Sequence, residues 1–286
     1  MNIVRTYKSS LFATLFSDVK NLIALYNALY GTQLPPNAPI RLVTLENVLF
    51  EDIYNDIAFI LGGKLIILIE HQSTINENMP LRFLLYIARE YEKLLDPDSK
   101  YHEKLLTIPR PEFIVLYNGT EEFPDEKILC LSDAFAKIPP KYAPEGLGGT
   151  LELTVRVLNI NEGRNQAIVQ RCEALKGYAK LIALVRHYQQ HMNLEKAVTQ
   201  ASKDCVQSGL LVDFLNIHAS EVIGMLTGEF DMERAKKVWQ KEYGEAGRKE
   251  GRKEGREEER QKWQSVVSDQ ATLIAELQAK LAAQSK

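Results

Sequence analysis

Two apolar runs set the terms for this chain. Asn55-Asp56-Ile57-Ala58-Phe59 leads to a Gly62-Gly63 pair, and Leu65-Ile66-Ile67-Leu68-Ile69-Glu70-His71-Gln72-Ser73 follows it. Glycine reaches the positive φ that tight hairpin tips need, so the pair predicts a turn between two strands. Neither run alternates cleanly between apolar and polar residues. Both therefore read as strands covered on both faces, a pattern of sheets buried inside a layered domain.

Two carboxylates interrupt this apolar text, Asp56 near its start and Glu70 near its end. Side chains alternate along a strand, so Glu70 and Gln72 share one face and His71 takes the other. The length of the tip decides where Asp56 falls. A two-residue tip pairs Leu61 with Lys64 and puts the acids on opposite faces. A three-residue tip, Gly62-Gly63-Lys64, pairs Leu61 with Leu65 and puts both acids on one face. Both lengths are common, and a slip of one residue inverts every side chain. On one face, the two carboxylates and an amide can hold a hard cation such as Mg²⁺. On opposite faces, Asp56 caps its strand and Glu70 pairs with a surface base.

The wording of this stretch resembles the Rpn-type recombination-promoting nucleases, also called YhgA-like transposases, of the PD-(D/E)XK nuclease superfamily. The resemblance rests on Asn55-Asp56-Ile57-Ala58-Phe59 and Glu70-His71-Gln72-Ser73-Thr74. It continues through Ile75 to Arg82, Tyr117-Asn118-Gly119 and Leu158-Asn159-Ile160-Asn161, up to about Glu229. It implies an Mg²⁺ site formed by Asp56, Glu70 and the backbone carbonyl of His71, with Gln72 beside it as a catalytic residue. The superfamily more often has lysine at the position of Gln72. The resemblance also implies an acid after the early lysine, Lys8, where this chain has Ser9.

The remaining pattern is that of a mixed chain. Leu11, Leu15, Val19, Leu22, Ile23, Tyr26 and Leu29 recur at helical spacing and predict one helix from Tyr7 to Tyr30, closed by Gly31. Leu45 to Phe50 reads as a short strand, and Glu51-Asp52 after it as a solvated pair or as further metal ligands. Pro80 fits the first turn of a helix whose buried face would be Leu81, Leu84, Leu85, Ala88, Tyr91 and Leu95. On that helix, Arg82 is the candidate phosphate contact, being close in sequence to the acids. Glu112 to Tyr117 and Leu151 to Ile160 read as strands, and Glu121 to Glu126 as an acidic turn. The predicted order is αβββαβ with an added strand, an α/β class that suits the restriction-endonuclease-like core of the resembled superfamily.

From Gly163 the text turns helical. It predicts Ala167 to Met192 as one segment, Leu194 to Gln207 capped by Asn193, and Leu210 to Leu226. His187 and His191 stand four apart, a spacing that can hold a metal, but without the intervening glutamate of the zinc-protease arrangement. Gly247 to Glu258 repeats every four residues with nearly cancelling charges and reads as a helical spacer. Trp263, Val267, Gln270, Ile274, Leu277 and Leu281 form a short heptad seam. The seam serves either a homo-oligomer through coiled-coil-like C-terminal helices or a helix folded on its own domain. The expected divisions are a nuclease core over 1–162, a helical region over 163–240, a spacer over 241–262 and a terminal helix over 263–286.

Composition bounds the function. The formal net charge of −3 argues against a broadly basic nucleic-acid binder and predicts salt-sensitive DNA affinity. Three scattered cysteines form no CxxC pair and suit a reducing compartment. No signal-peptide pattern or membrane-length apolar run is present, so the expected location is cytoplasmic. Taken together, the expectation is a Mg²⁺-dependent DNA endonuclease tied by resemblance to recombination, mobile elements or defence. Two other readings stand beside it: a non-catalytic DNA-binding or scaffold relative, and an interaction protein that oligomerises through its C-terminal helices.

Overall fold

The computed structural model describes residues 8–9, 11–43, 53–54, 56–139, 151–218, 221–227 and 230. All of them fall in one compact unit, Met1–Glu233. The expected strand at Leu45–Phe50, the Glu51-Asp52 pair, the glycine repeat and the heptad seam lie outside the described residues.

The centre is a six-stranded mixed sheet. Its strands are β2 (Ile40–Val43), β4 (Asp56–Leu61), β5 (Leu65–Gln72), β6 (Arg110–Tyr117), β7 (Glu126–Cys130) and β8 (Thr154–Asn159). The order across the sheet is β2-β4-β5-β6-β8-β7. β2, β4 and β5 run antiparallel; β5, β6 and β8 run parallel; β7 returns antiparallel to β8. A separate two-stranded pairing joins β1 (Lys8–Ser9) to β3 (Ile53–Tyr54) in parallel.

The β4–β5 tip has three residues. Leu61 pairs with Leu65, and Gly62 and Gly63 take φ of 57° and 68°. This is the longer of the two tips the sequence allowed. Alternation then splits the strands between two apolar layers. Ile57, Phe59, Ile67, Ile69, Ile114, Leu116 and Leu158 enter one, and Ala58, Ile60, Ile66, Leu68, Val115 and Val157 enter the other. The first layer is filled by helices α1 (Leu11–Phe16), α2 (Val19–Tyr30), α4 (Gln166–Val169), α5 (Glu173–Tyr188), α6 (Leu194–Gln207) and α7 (Val212–Ile217). The second is filled by α3 (Met79–Leu94).

Several local expectations change. The single N-terminal helix is two helices, because Asp18 is an extended N-cap whose side chain accepts from Lys20 N and starts α2 afresh. Lys8-Ser9 is strand, drawn off by pairing with Ile53-Tyr54. The 167–192 segment breaks at Gln170–Cys172 into α4 and α5. The helix expected from Leu210 starts at Val212, after Gly209 and Leu211 adopt positive φ, and is capped at His218. Helix resumes at 221–227. The acidic turn ends in a strand, β7, whose Glu126 is tied to Arg156 of β8. β8 is more covered than expected, because β6 and β7 flank it and Leu158 is fully buried in the helical layer. Asn193 caps α6 as the sequence predicts, accepting from Lys196 N.

α3 presents a different face from the one its leucines suggest. Met79, Phe83, Ile87 and Glu90 are buried, whereas Leu81 and Leu85 are 45% and 40% exposed. The stripe that meets the sheet starts two residues earlier, at Met79, whose sulfur meets the Gln72 amide.

Candidate functional site

β5 carries the site. Its last residues, Glu70, His71 and Gln72, stand at the carboxyl end of a strand in the parallel part of the sheet, where open α/β sheets place their ligand crevices. Alternation sends Glu70 towards the α3 layer and His71 into the helical layer. His71 is 6% exposed, stacks on Phe12 at 5.0 Å, and its Nε2 is hydrogen-bonded to the Tyr178 hydroxyl at 3.0 Å. The His71 side chain is thus held in the helical layer, and the ligand role implied by the resemblance concerns its backbone carbonyl.

Glu70 is 4% exposed, and a buried carboxylate is costly unless charge and hydrogen bonds meet it. Both do. Arg82 Nη1 lies 3.1 Å from Glu70 Oε1, and Gln72 Nε2 donates to the same oxygen at 2.6 Å. Arg82 closes the first turn of α3, and its Nη2 donates to the Tyr86 hydroxyl at 2.9 Å. The guanidinium also lies 5.8 Å from the Tyr86 ring centre. The base that a strand-end carboxylate demands is therefore supplied by the first helix after the strand.

In the β4–β5 ladder, Asp56 takes the register position directly opposite Glu70. Opposite positions of an antiparallel pair belong to one face of a sheet. The β1–β3 pairing sets Ser9 beside Tyr54, two residues before Asp56. The position of the absent acid therefore falls at this end of the hairpin. Asp18 is far from that role, being spent on the cap of α2.

Among the described residues, no three His, Cys, Asp or Glu side chains cluster together. Two carboxylate positions, a backbone carbonyl and an amide fit a hard cation that takes oxygen ligands and keeps part of its water shell.

A second group of residues gathers beside Gln72. Strand register aligns Gln72, Tyr117 and Asn159 in one row across β5, β6 and β8. Beyond that row, Asn118 N donates to Gln72 O at 2.8 Å. Arg186 of α5 donates from Nη1 to Asn118 Oδ1 at 2.8 Å and to Asn161 Oδ1 at 3.2 Å. Its Nη2 donates to the Asn118 carbonyl at 2.6 Å. Asn161 Nδ2 reaches Gly119 O and Asn159 Oδ1, and Asn159 Nδ2 reaches Phe123 O. Both asparagine motifs of the sequence thus converge on one network that fixes the chain just after the candidate site. Arg186 is not legible from spacing, because its partners lie 25 and 68 residues away. Glu90, 1% exposed and bound to Lys93 Nζ at 3.0 Å, was also missed because it interrupts no apolar run.

Neither a curated protein nor a solved structure matches the chain. A family model described as "Putative transposase, YhgA-like" matches residues 50–207. The match spans the hairpin, α3, the asparagine network and α6, more than half of the 286 residues. On that match, and on the residues that carry it, the chain belongs to the YhgA-like transposase family.

Proposed function

We propose that this chain is a Mg²⁺-dependent DNA endonuclease with a restriction-endonuclease-like core, acting in the mobile-element setting that its family suggests. One observation carries the reading: the three-residue tip puts Asp56 opposite Glu70 at the end of the hairpin, with Gln72 bonded to Glu70. The order α2, β2, β4, β5, α3, β6, in which β2 (Ile40–Val43) and not the stretch expected at Leu45–Phe50 precedes the hairpin, supports the same reading.

The roles follow from the side chains. Asp56, Glu70 and the His71 carbonyl would hold the cation. When bound, Mg²⁺ supplies acidified water and neutralises phosphate charge. Gln72 carries neither charge nor titratable proton, so it orients a water molecule and does not act as a general base. Arg82 offers the phosphate a planar, permanently charged donor set. Arg186 and the asparagines keep the Gln72 backbone in register with β6.

Nicking of supercoiled plasmid tests this. Wild type is expected to nick with Mg²⁺ and to stop when the cation is chelated. Asp56→Ala and Glu70→Ala are each expected to lose at least about a hundredfold in rate, the scale of removing an electrostatic stabiliser. Equal nicking by all three proteins would overturn the assignment.

A second reading, a DNA-binding or scaffold relative without turnover, is favoured by Ser9, by Gln72 and by the net charge of −3. It predicts plasmid retention without nicking.

A further inference from the structure

We propose that Arg82 is a resting counter-charge for Glu70, which a divalent cation displaces, so that metal binding releases the guanidinium towards DNA phosphate. This deepens the nuclease reading and rests on it. The geometry is specific. A single oxygen, Glu70 Oε1, receives both Arg82 Nη1 at 3.1 Å and Gln72 Nε2 at 2.6 Å. Glu70 is almost fully buried, whereas the Arg82 side chain is 29% exposed. The carboxylate is therefore fixed, and the cation beside it has a way out.

Electrostatics makes the contact exchangeable. A dication held by Glu70 would sit within a few ångströms of the guanidinium, and like charges at that range repel strongly away from bulk water. Both positive groups would draw on the same buried Glu70 carboxylate. Arginine suits the exchange because it stays charged in either position and its fork matches phosphate as well as carboxylate. Tyr86 completes the arrangement. Its hydroxyl accepts from Arg82 Nη2 at 2.9 Å and its ring lies 5.8 Å from the guanidinium carbon, so it steadies the resting position. Because Arg82 and Tyr86 lie four apart on α3, they share one helix face and would move against a rigid support. By linkage, the release couples the two ligands: bound cation raises affinity for DNA, and bound DNA raises affinity for cation by the same factor.

Calorimetry with Mn²⁺ alone, on the full chain, reads the first half. Arg82→Gln is expected to bind Mn²⁺ at least about fivefold more tightly than wild type, the lower end of ordinary coupling between sites. Arg82→Lys, which restores a positive charge, is expected to return towards wild type. Tyr86→Phe, which loosens the guanidinium without removing it, is expected to tighten binding about twofold or more, and carries the test if Arg82→Gln does not fold.

The second half is read from the salt dependence of binding to a phosphorothioate duplex. With Mn²⁺, Arg82→Gln is expected to lower the slope of log affinity against log salt by about one. Without the cation, the slopes of wild type and variant are expected to coincide. Unchanged or weaker Mn²⁺ binding in Arg82→Gln, or in Tyr86→Phe when it stands in, would make Arg82 a fixed brace and overturn the inference. A slope difference of equal size with and without Mn²⁺ would overturn it too. Wild type that binds no Mn²⁺ would remove the metal site, and this inference with it; wild type that binds while the variants do not tighten would sink the inference alone.

Discussion

At the scale of single residues, close approach explains more than charge. Gly119 follows the Asn118 that binds Arg186, and a methyl group there would overlap the Ser73 carbonyl oxygen and the Tyr117 ring. Both belong to backbone or to a buried ring that cannot swing away. Gly119→Ala is therefore expected to destabilise the fold by about 1–3 kcal/mol, the cost of overpacking, and to lower the midpoint of a urea melt accordingly. The same substitution on the hairpin tip meets open space at Gly62 and Gly63 and is limited only by their positive φ. The sequence announced Asn118-Gly119 as a motif, but not why it is one. The reason is a loop crossing from Ser73, which no spacing within the motif encodes. Glu70 was legible as a carboxylate needing a partner, and Gln72 as its neighbour on one face. Arg82 was legible as nearby; its binding to Glu70 depends on the angle at which α3 returns to the sheet.

At the scale of elements, hydrophobic periodicity locates helices better than it locates their faces. Of the face expected on α3, Leu84 and Tyr91 pack partly buried against the core, but Leu81 and Leu85 are exposed, and the fully buried positions are Met79, Phe83, Ile87 and Glu90 among others. Leucines spread round this helix, so two stripes compete in the sequence, and the sheet selects the one that begins under Gln72. Phe83→Ala is expected to cost about 3–5 kcal/mol, since it empties a site packed against Phe113, with ring centres 5.2 Å apart. Leu81→Ser and Leu85→Ser are expected to change stability by no more than about 0.5 kcal/mol, as exposed sites usually do. Chemical denaturation of the three variants checks the contrast. Helix ends are legible where the capping residue stands outside the apolar pattern, as with the Asn193 side chain at the start of α6 and the left-handed Gly31 at the end of α2. They were misread where the cap sits inside an apolar pattern, as at Asp18. The strand β7 was hidden because its charges, Glu126 and Lys127, look like the end of a turn and are instead partners of Arg156 and Glu77.

At the scale of the whole molecule, those same charges set the response to acid. The Glu126 carboxyl is held below the usual range by its hydrogen bonds to Arg156, and that of Glu77 by Lys127. The Glu152 carboxyl is lowered first by Ser132, and also by backbone N–H groups of Leu131, Ser132 and Leu153. A carboxylate whose folded pKa is depressed contributes its stability above the unfolded value and loses it as pH falls through the folded one. Unfolding followed by circular dichroism is therefore expected to show stability falling below about pH 4.5, the ordinary carboxylate range. Glu126→Gln should be less stable than wild type at pH 7, and the two should converge by about pH 3, where the native carboxylate has also taken up its proton.

The same rim closes the sheet. Among the described residues β2 and β7 are its outermost strands, four and five residues long, and they carry Arg41 and Lys127. Short, charged borders resist edge-to-edge addition between molecules. Two such borders give the backbone of a neighbouring molecule little to template on, however apolar the centre between them.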